Sequence, residues 1–472
     1  MNTKTETFAR IWCLIGVLEP LDKSGWTPAA AAHLLGRAGF GGSPEEVKAL
    51  HTKGMNGAID SLLDVPDDAD LFPAPAASVP QNLAEQRSMV RGKTEEEKKA
   101  IQAMMRKEDQ KQMVELRSWW LNRMRWSPFP AREKAVLFWH GHWATSVEKV
   151  KSPFAMWQQN ETLRAHALGG FENMAQEISC DPAMMRYLDL AQSKREQPNE
   201  NFARELMELF TLGEGHYQEE DIQEAARAFT GYRINPTNQQ FLFAERQHDG
   251  GPKSFFGFEG NFSGRDIVGF LAADPQCARF LSRKIWAFYA SENPSQELVE
   301  ALAKNYRDNK MDARRLLGTI FRSREFYGPD VMRKQIKGPV QWLVQACKEL
   351  EIPLPRDASG ILRQLGQTPF APPNVKGWDG GRSWISSATL LLRYNIAGSM
   401  VQARDLDPDE ILAPALDPAA ACKSIGERLF QFSMNETLRK QFLAFLNDHP
   451  PGKNIRRDLI HLMMSTPDYQ LT

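Results

Sequence analysis

Helical periodicity runs through most of this chain and limits what the chain can fold into. Residues 131–148 and 160–232 place apolar side chains three or four positions apart, as a helix with one buried face requires. Helix starts are also visible, because Thr27-Pro28 and Ser43-Pro44 each set a capping hydroxyl before a proline at the first helical position. These patterns predict a mainly α-helical protein with a large, bundle-like body of many helices.

Three segments depart from this pattern. Residues 234–262 alternate aromatic residues with glycines, which predicts a small β-hairpin or a long structured loop. Residues 366–382 are rich in glycine and proline and predict a second long irregular loop. Residues 85–112 are heavily charged with few apolar positions, which predicts a solvated helix or a mobile lid.

The length of the chain, 472 residues, allows two or three lobes. Hydrophobic residues make up 42% and charged residues 25% of it, as is ordinary for a globular protein. We therefore expect three regions: an N-terminal helical region with the charged segment (1–130), a central helical core that holds the site (131–330) and a C-terminal helical region with the Gly/Pro/Trp loop (331–472).

Charge and cysteine content exclude several classes of protein. With 58 basic and 59 acidic residues the net charge is −1, so no overall field attracts nucleic acid, and we expect no nucleic-acid partner. The five cysteines are odd in number and form no CxxC pair, which argues against a disulfide framework and a cysteine-type zinc site. No apolar run reaches the roughly 18 to 20 residues of a membrane helix, so we expect no transmembrane segment.

The N-terminus allows two interpretations. Lys4 and Arg10 precede the apolar run 11–18, which is the order of a secretion signal. The run is short, Glu19-Pro20 follows it, and no A-x-A cleavage pattern closes it. The segment is either a packing strand or helix or a poorly formed signal, so export and a cytoplasmic location both stay open.

Six motifs together resemble those of a known bacterial family, domain of unknown function 1800. They are HLLGRAGFG (33–41), FWHGHWATS (138–146), PNENFARELMELFTLGEG (198–215), DIQEAARAFTGY (221–232), HDGGPKSFFG (248–257) and PPNVKGWDGGRSWI (372–385). The resemblance covers nearly the whole chain in the right order. It implies an exported bacterial protein with a partner protein encoded nearby, and it implies no settled activity.

The motif from residue 198 to 213 predicts a helix with one polar face. At about 100° per residue, Arg204, Glu205 and Glu208 share a stripe, opposite apolar side chains. A plain surface helix shows the same pattern. A glycine stop at Gly213 then leads into a loop that can present side chains. The candidates are Glu205 and Glu208 as catalytic residues, and Arg204, His216 and Tyr217 as substrate-binding residues.

His140 and His142 flank a glycine within an aromatic segment. On a helix their side chains point about 200° apart and cannot share a metal, whereas on an extended segment they can converge. The alternative is that both form hydrogen bonds inside an aromatic core. We take them as candidate ligands of a divalent metal ion, which would need one or two further ligands. Those further ligands would come from Glu205, Glu208, His216 and His248.

Two loops contain further candidates. His248 and Asp249, followed by two glycines and Lys253, suit proton transfer or anion binding, although a tight Asp-Gly turn has the same composition. We take His248 and Asp249 as catalytic candidates. Trp378 lies among glycines and prolines, where it can stack on a sugar ring or lock the loop in place. The substrate-binding candidates outside the polar helix are Arg37, Lys253, Trp378 and Arg393.

Two hypotheses follow. The first is a metal-assisted or acid–base hydrolase-type enzyme that acts on a polar, anionic or carbohydrate-like substrate, with Glu205 or Glu208 as base or ligand. The second is a non-catalytic binding or assembly protein that presents the Trp378 loop and residues 85–112 to a partner protein or surface polymer. No GxSxG, HExxH or dinucleotide-binding motif is present.

Overall fold

The computed structural model describes residues 16–66, 72–408, 417–432, 434–449 and 452–472. Most of these residues are helical, which confirms the mainly α fold. The apolar run 11–18 that suggested a signal lies largely outside the described residues, and so do Lys4 and Arg10.

The N-terminal helices begin where the capping residues predict. Thr27 caps the first helix, and Ser43 forms a capping box with Glu46 at the second. The helices are α1 (Pro28–Ala38), α2 (Pro44–Thr52), α3 (Gly54–Leu63), α4 (Leu83–Val90) and α5 (Glu95–Trp126).

The charged segment belongs mainly to α5, a single helix of 32 residues. Thr94 and Glu97 form its capping box, and three glutamates in its first turn suit the positive end of the helix dipole. Side chains up to residue 112 are mostly exposed, whereas Trp120 and Met124 near the other end are fully buried. Residues 95–112 are thus a solvated part of α5, and the C-terminal half of α5 anchors the helix in the core.

The central part of the chain carries the next helices and two small sheets. The helices are α6 (Pro130–His142), α7 (Val147–Val150), α8 (Pro153–His166), α9 (Phe171–Ser179), α10 (Pro182–Tyr187), α11 (Asn201–Glu205) with the π-helical segment Leu206–Thr211, α12 (Glu219–Ala228), α13 (Gly264–Ala273), α14 (Pro275–Tyr289), α15 (Gln296–Asp308) and α16 (Ala313–Arg322).

The segment 234–262 contains two hairpins. Strands β1 (Tyr232–Ile234) and β2 (Phe241–Phe243) pair antiparallel, and so do β3 (Lys253–Phe255) and β4 (Phe258–Gly260). Phe256 and Gly257 connect the second pair with φ of 48° and 78°. Positive φ at both positions is the mark of a tight two-residue hairpin turn.

The last part of the chain surrounds one fully buried helix. Its helices are α17 (Pro339–Glu349), α18 (Ala358–Leu365), α19 (Ser387–Val401), α20 (Pro418–Phe430), α21 (Glu436–Asn447) and α22 (Lys453–Met464). All residues of α17 are buried, polar ones included. Residues 366–380 are irregular, as predicted.

One hydrophobic core joins these elements. It draws residues from all three of the regions expected from the sequence, from Ala30 to Tyr469. Nearly all residues of α6 and all residues of α17 are buried, and Lys134 of α6 donates a hydrogen bond to Gln341 of α17. Among the described helices, none combines the length and the apolar character needed to cross a membrane.

A buried ion cluster fixes α6 against its neighbours. Glu133 is fully buried and accepts hydrogen bonds from Arg123 Nε (3.2 Å), Arg164 Nε (2.8 Å) and Trp120 Nε1 (3.0 Å). Burial alone would raise the pKa of Glu133, but the two guanidinium groups together hold it below its ordinary value. The carboxylate is therefore charged and is the counter-ion of two buried cations.

We expect Glu133→Ala to lower the free energy of unfolding by about 3–5 kcal/mol, because it removes the buried carboxylate that Arg123 and Arg164 share. Urea denaturation measures the change. Glu436→Ala, which removes an exposed partner of Arg439, is the control and should leave stability nearly unchanged. Equal stabilities of the two variants would contradict a structural role for Glu133.

Candidate functional site

A cavity of about 280 Å³ lies at the junction of α6, α14 and the start of α17. We call it the central cavity. Its lining includes Lys134, Phe138 and His142 of α6, Lys284 and Phe288 of α14, Lys337 and Gln341, and Trp378 and Trp384. The two tryptophans belong to the segment 372–384, which we call the Trp378 loop.

Three lysines of the central cavity form no salt bridge among the described residues, although the Glu349 carboxylate acts on Lys337 at longer range. Lys134 and Lys337 are buried and Lys284 is partly buried, and no carboxylate of the described residues pairs with any of them. Aromatic faces stand in for carboxylates: the Nζ of Lys134 lies 5.3 Å from the ring centre of Phe288, and that of Lys337 lies 3.9 Å from the ring centre of Tyr469. The cavity is therefore cationic and partly apolar.

Burial shifts the protonation of these lysines toward neutrality. It lowers the pKa of Lys134 to about 7, and the nearby Arg37 adds to the effect. Burial also lowers the pKa of Lys284 and of Lys337 to about 8. At Lys337, the Glu349 carboxylate opposes the shift. All three amines can thus gain or lose a proton close to neutral pH.

His140 and His142 form different hydrogen bonds and adopt opposite tautomers. His140 Nε2 accepts a hydrogen bond from the Phe370 amide (3.0 Å), so its proton is on Nδ1. His142 Nε2 lies 3.0 Å from the Phe210 carbonyl oxygen and must donate, so its Nδ1 carries a lone pair. That Nδ1 has no hydrogen-bond partner among the described residues. Burial lowers the pKa of both rings, that of His140 to about 3, so both are neutral.

The predicted metal pair does not converge. Helix α6 continues to His142, so the two imidazoles diverge as helical geometry requires, and only His142 lines the central cavity. Within the described ranges, no group of three or more His, Cys, Asp and Glu side chains is placed to hold a metal ion.

The Trp378 loop crosses α6 at the glycine between the two histidines. Gly377 has φ of 84°, and a Cβ there would lie 2.3 Å from the carbonyl oxygen of Gly141. The ring centre of Trp378 lies 5.8 Å from that of His140, and a Cβ on Gly141 would meet the Trp378 ring at 4.0 Å. Trp378 is therefore both a lock for the loop and a wall of the cavity.

The polar helix of residues 198–213 contacts two lining residues of the cavity through its backbone. Its second half, Leu206–Thr211, is π-helical, and the carbonyl oxygens at its end accept hydrogen bonds from side chains. His142 donates to Phe210, and Lys284 lies 3.5 Å from the carbonyl oxygen of Leu209. Because a π-turn shifts the rotation per residue, Leu209 of the predicted apolar face is only partly buried, whereas Phe202, Leu206 and Phe210 are buried.

The acidic side chains of this helix form a separate polar patch. Arg204 pairs with Glu219, and Tyr217 donates to Glu208 at 2.8 Å. Burial and the neighbouring Glu208 raise the pKa of Glu205, and Lys376 of the Trp378 loop opposes them. Arg204, Glu205, Glu208, Tyr217 and the exposed His216 do not line the central cavity.

The His248 loop satisfies its own polar groups. Asp249 binds Arg227 (2.7 Å), and Lys253 Nζ donates to the carbonyl oxygens of Asp249 (2.6 Å) and Gly251 (3.1 Å). His248 Nδ1 lies 2.9 Å from the carbonyl oxygen of Thr230. These bonds describe a tight Asp-Gly turn, and His248, Asp249 and Lys253 are not part of the central cavity.

Arg37 and Arg393 hold the walls of the cavity. Arg37 donates to the Ala290 and Val331 carbonyl oxygens, and Arg393 donates to that of Lys337 at 2.8 Å. Both guanidinium groups are buried, and burial lowers the pKa of Arg37 to about 9 and that of Arg393 to about 10. The structure thus places the two arginines as supports, bound to backbone, around the lysines.

The three lysines were not among the residues selected from the sequence. A signal for one of them exists, since Lys134, Phe138 and His142 are spaced at i, i+4 and i+8 and share one face of α6. A lysine on an otherwise apolar helical face indicates a buried cation.

Comparison with known proteins gives a family and no activity. A family model described as "Protein of unknown function (DUF1800)" matches residues 33–471, nearly the whole chain, which confirms the resemblance carried by the six motifs. No curated protein and no solved structure matches the chain.

We expect Gly377→Ala to destabilise the protein far more than Gly366→Ala. Both glycines have positive φ, but Cβ at residue 366 meets open space while Cβ at residue 377 collides with the Gly141 carbonyl oxygen. Gly366→Ala should therefore cost only the backbone strain, about 1 kcal/mol. Thermal unfolding followed by circular dichroism measures both. Equal losses would show that the loop does not depend on its contact with α6.

Proposed function

The chain belongs to this family of proteins of unknown function, and we propose that its central cavity binds a small anionic ligand. The observation that supports this proposal is the meeting of Lys134, Lys284 and Lys337 in one cavity without a paired carboxylate. Removing an ammonium group from water costs several kcal/mol unless an opposite charge compensates it. A bound anion would supply that charge for Lys134 and Lys284 and would add to the effect of Glu349 on Lys337.

The charge of the whole lining supports the same conclusion. Four lysine side chains line the cavity against two carboxylates, those of Glu292 and Asp379, an excess of two positive side chains when all are ionised. The fourth lysine, Lys376, lies on the Trp378 loop. An anion entering the cavity would therefore meet a net attractive field.

The aromatic lining defines the rest of the ligand. Phe138, Phe288, Trp378 and Trp384 contribute rings to the lining. A volume of about 280 Å³ is at the lower end of the range for small-molecule pockets. The cavity thus suits a small molecule with a carboxylate or phosphate group and an apolar or ring-shaped part, which agrees with the anionic or carbohydrate-like substrate expected from the sequence.

The same groups favour acid–base chemistry on the bound anion. Amines with a pKa of about 7 to 8 transfer protons at neutral pH, and His142 adds a neutral imidazole with a free lone pair. We therefore prefer the acid–base form of the hydrolase-type hypothesis to its metal-assisted form. A non-catalytic binding protein would bind the same anions without turnover, and this is the alternative that an assay must separate.

We expect sulfate to bind the protein about tenfold or more tightly at pH 7 than at pH 9, at constant ionic strength. The lysines of the empty cavity lose their protons as the pH rises through about 7 to 8, whereas sulfate keeps its charge throughout. Binding should also take up protons, because the anion raises the pKa of each lysine toward its ordinary value. Calorimetry in two buffers of different ionisation enthalpy measures both effects.

Two variants locate the sulfate site. Lys284→Ala removes a cavity cation and should weaken sulfate binding at least tenfold, whereas Lys99→Ala removes an exposed cation of α5 and should not. Absence of sulfate binding by the unmodified protein, or equal weakening by the two variants, would overturn the proposed function.

A further inference from the structure

Lys134 is buried beside an uncharged acceptor and another cation, which favours its neutral amine. The residue is 6% exposed, and the rings of Phe40 and Phe288, with centres 5.2 Å and 5.3 Å from Nζ, compensate a protonated amine only weakly for the water that it loses. The hydrogen-bond acceptor that it faces is the side-chain oxygen of Gln341, an uncharged group. The cationic Arg37 is close enough to disfavour a second positive charge at this position.

A row of buried side chains along α17 determines that this acceptor is an amide oxygen. Gln341, Gln345 and Glu349 follow one another at i, i+4 and i+8. Gln341 Nε2 donates to the Gly36 carbonyl oxygen (3.2 Å) and to Gln345 Oε1 (2.9 Å), and Gln345 Nε2 donates to Glu349 Oε1 (2.7 Å). Because both hydrogens of the Gln341 amide are engaged, only its oxygen can face Lys134.

This geometry leaves the lone pair of a neutral Lys134 available. A neutral amine has two N–H bonds and one lone pair, and Gln341 Oε1 accepts one of the N–H bonds. A carboxylate at the same place would hold the amine as an ammonium ion, which has no lone pair. Desolvated lysines beside another cation are the ones that act as nucleophiles toward carbonyl compounds.

The other two lysines provide the means to hold a substrate. Lys284 and Lys337 line the same cavity as Lys134 and have no paired carboxylate among the described residues. They are placed to bind the anionic group of a ligand whose carbonyl carbon meets Lys134. We propose, resting on the anion-binding function above, that Lys134 forms a reversible imine with a carbonyl compound that also carries a carboxylate or phosphate group.

The proposed step balances without an oxidant or reductant. The lone pair of Lys134 Nζ forms a bond to the carbonyl carbon, and the C=O π electrons pass to the oxygen. The two amine hydrogens then leave with that oxygen as water, and a C=N bond remains. Addition of water to the C=N bond reverses the step and releases the carbonyl compound.

Reductive trapping tests the proposal on the full chain. The protein is incubated at pH 7 with glyoxylate, a small aldehyde with a carboxylate, and sodium cyanoborohydride, which reduces an imine to a stable secondary amine. Peptide mapping by mass spectrometry then gives the labelling rate at each lysine. We expect Lys134 to be labelled at least tenfold faster than the exposed Lys99 of α5, since an exposed lysine is almost fully protonated at pH 7.

A buried lysine with only a structural role gives the opposite order, because burial slows access of the reagents. Labelling of Lys134 no faster than that of Lys99 would therefore overturn the imine proposal. If sulfate still binds in that case, the anion-binding function stands without it. If sulfate does not bind, the proposed function fails by its own measurement.

Two further measurements tie the reaction to the cavity. Sulfate should compete and slow labelling of Lys134 at least fivefold while Lys99 reacts as before; no competition would place the reactive amine outside the anion site and overturn the proposal. Gln341→Glu keeps the size of the acceptor but supplies a carboxylate, so it should slow labelling of Lys134 at least tenfold while Lys99 reacts as before. Unchanged labelling in a folded Gln341→Glu protein would contradict the role of the amide oxygen.

Discussion

The row of buried polar side chains along α17 is the constraint on which the rest of the structure depends. Every residue of α17 is buried, and three of its polar side chains, Gln341, Gln345 and Glu349, lie on one stripe. Buried polar groups must find partners inside the protein, because each unsatisfied one costs about 1–3 kcal/mol. Hydrogen bonds satisfy these groups in one direction along the row: Lys134 donates to Gln341, Gln341 donates to Gln345, and Gln345 donates to Glu349. The other carboxylate oxygen of Glu349 accepts from Tyr469 at 2.7 Å.

The titratable groups at the two ends of this row differ in how burial shifts their pKa. Burial raises the pKa of Glu349, and the buried Lys337 is the first of the groups that oppose the shift. At the cavity end, the lysines have folded-state pKa values of about 7 to 8, below the value of about 10.4 for an unfolded lysine. Between these pKa values the unfolded chain therefore binds more protons than the folded chain. These lysines lower the free energy of unfolding most below pH 7, and this loss of stability disappears as the pH rises. The cavity lysines thus lower the stability of the protein at the site where a bound ligand can restore it, as is common for functional sites.

Much of the fold could be predicted from the sequence because its signals are local. Thr27 and Ser43 satisfy amide groups within one turn of their own helices, and Phe256-Gly257 sets its hairpin by its own backbone angles. The π-helical continuation of the polar helix was less predictable. Whether a helix continues as α or π after residue 205 depends on tertiary contacts, here His142 and Lys284 at its terminal carbonyl oxygens.

The candidate site was harder to predict for a related reason. Charged residues in a sequence are usually on the surface, so three lysines far apart in the chain carry no local sign that they meet. The histidines and Trp378 were visible as motifs, but their geometry was not, since it is determined by contacts between segments distant in sequence.

The glycine of the HGH motif shows how those segments become one site. Gly141 leaves its carbonyl oxygen open to a close approach, and the Trp378 loop uses it at Gly377, where no other residue fits. With the loop seated there, His140 turns to Phe370 on one side of α6, and His142 turns to the π-helical segment and the cavity on the other. The two histidines are thus separated by one glycine because a loop must cross between them. A shared metal ion is not needed to explain their spacing. Three motifs that the sequence presents separately, HGH, the polar helix and GWDGG, are in contact around one cationic cavity.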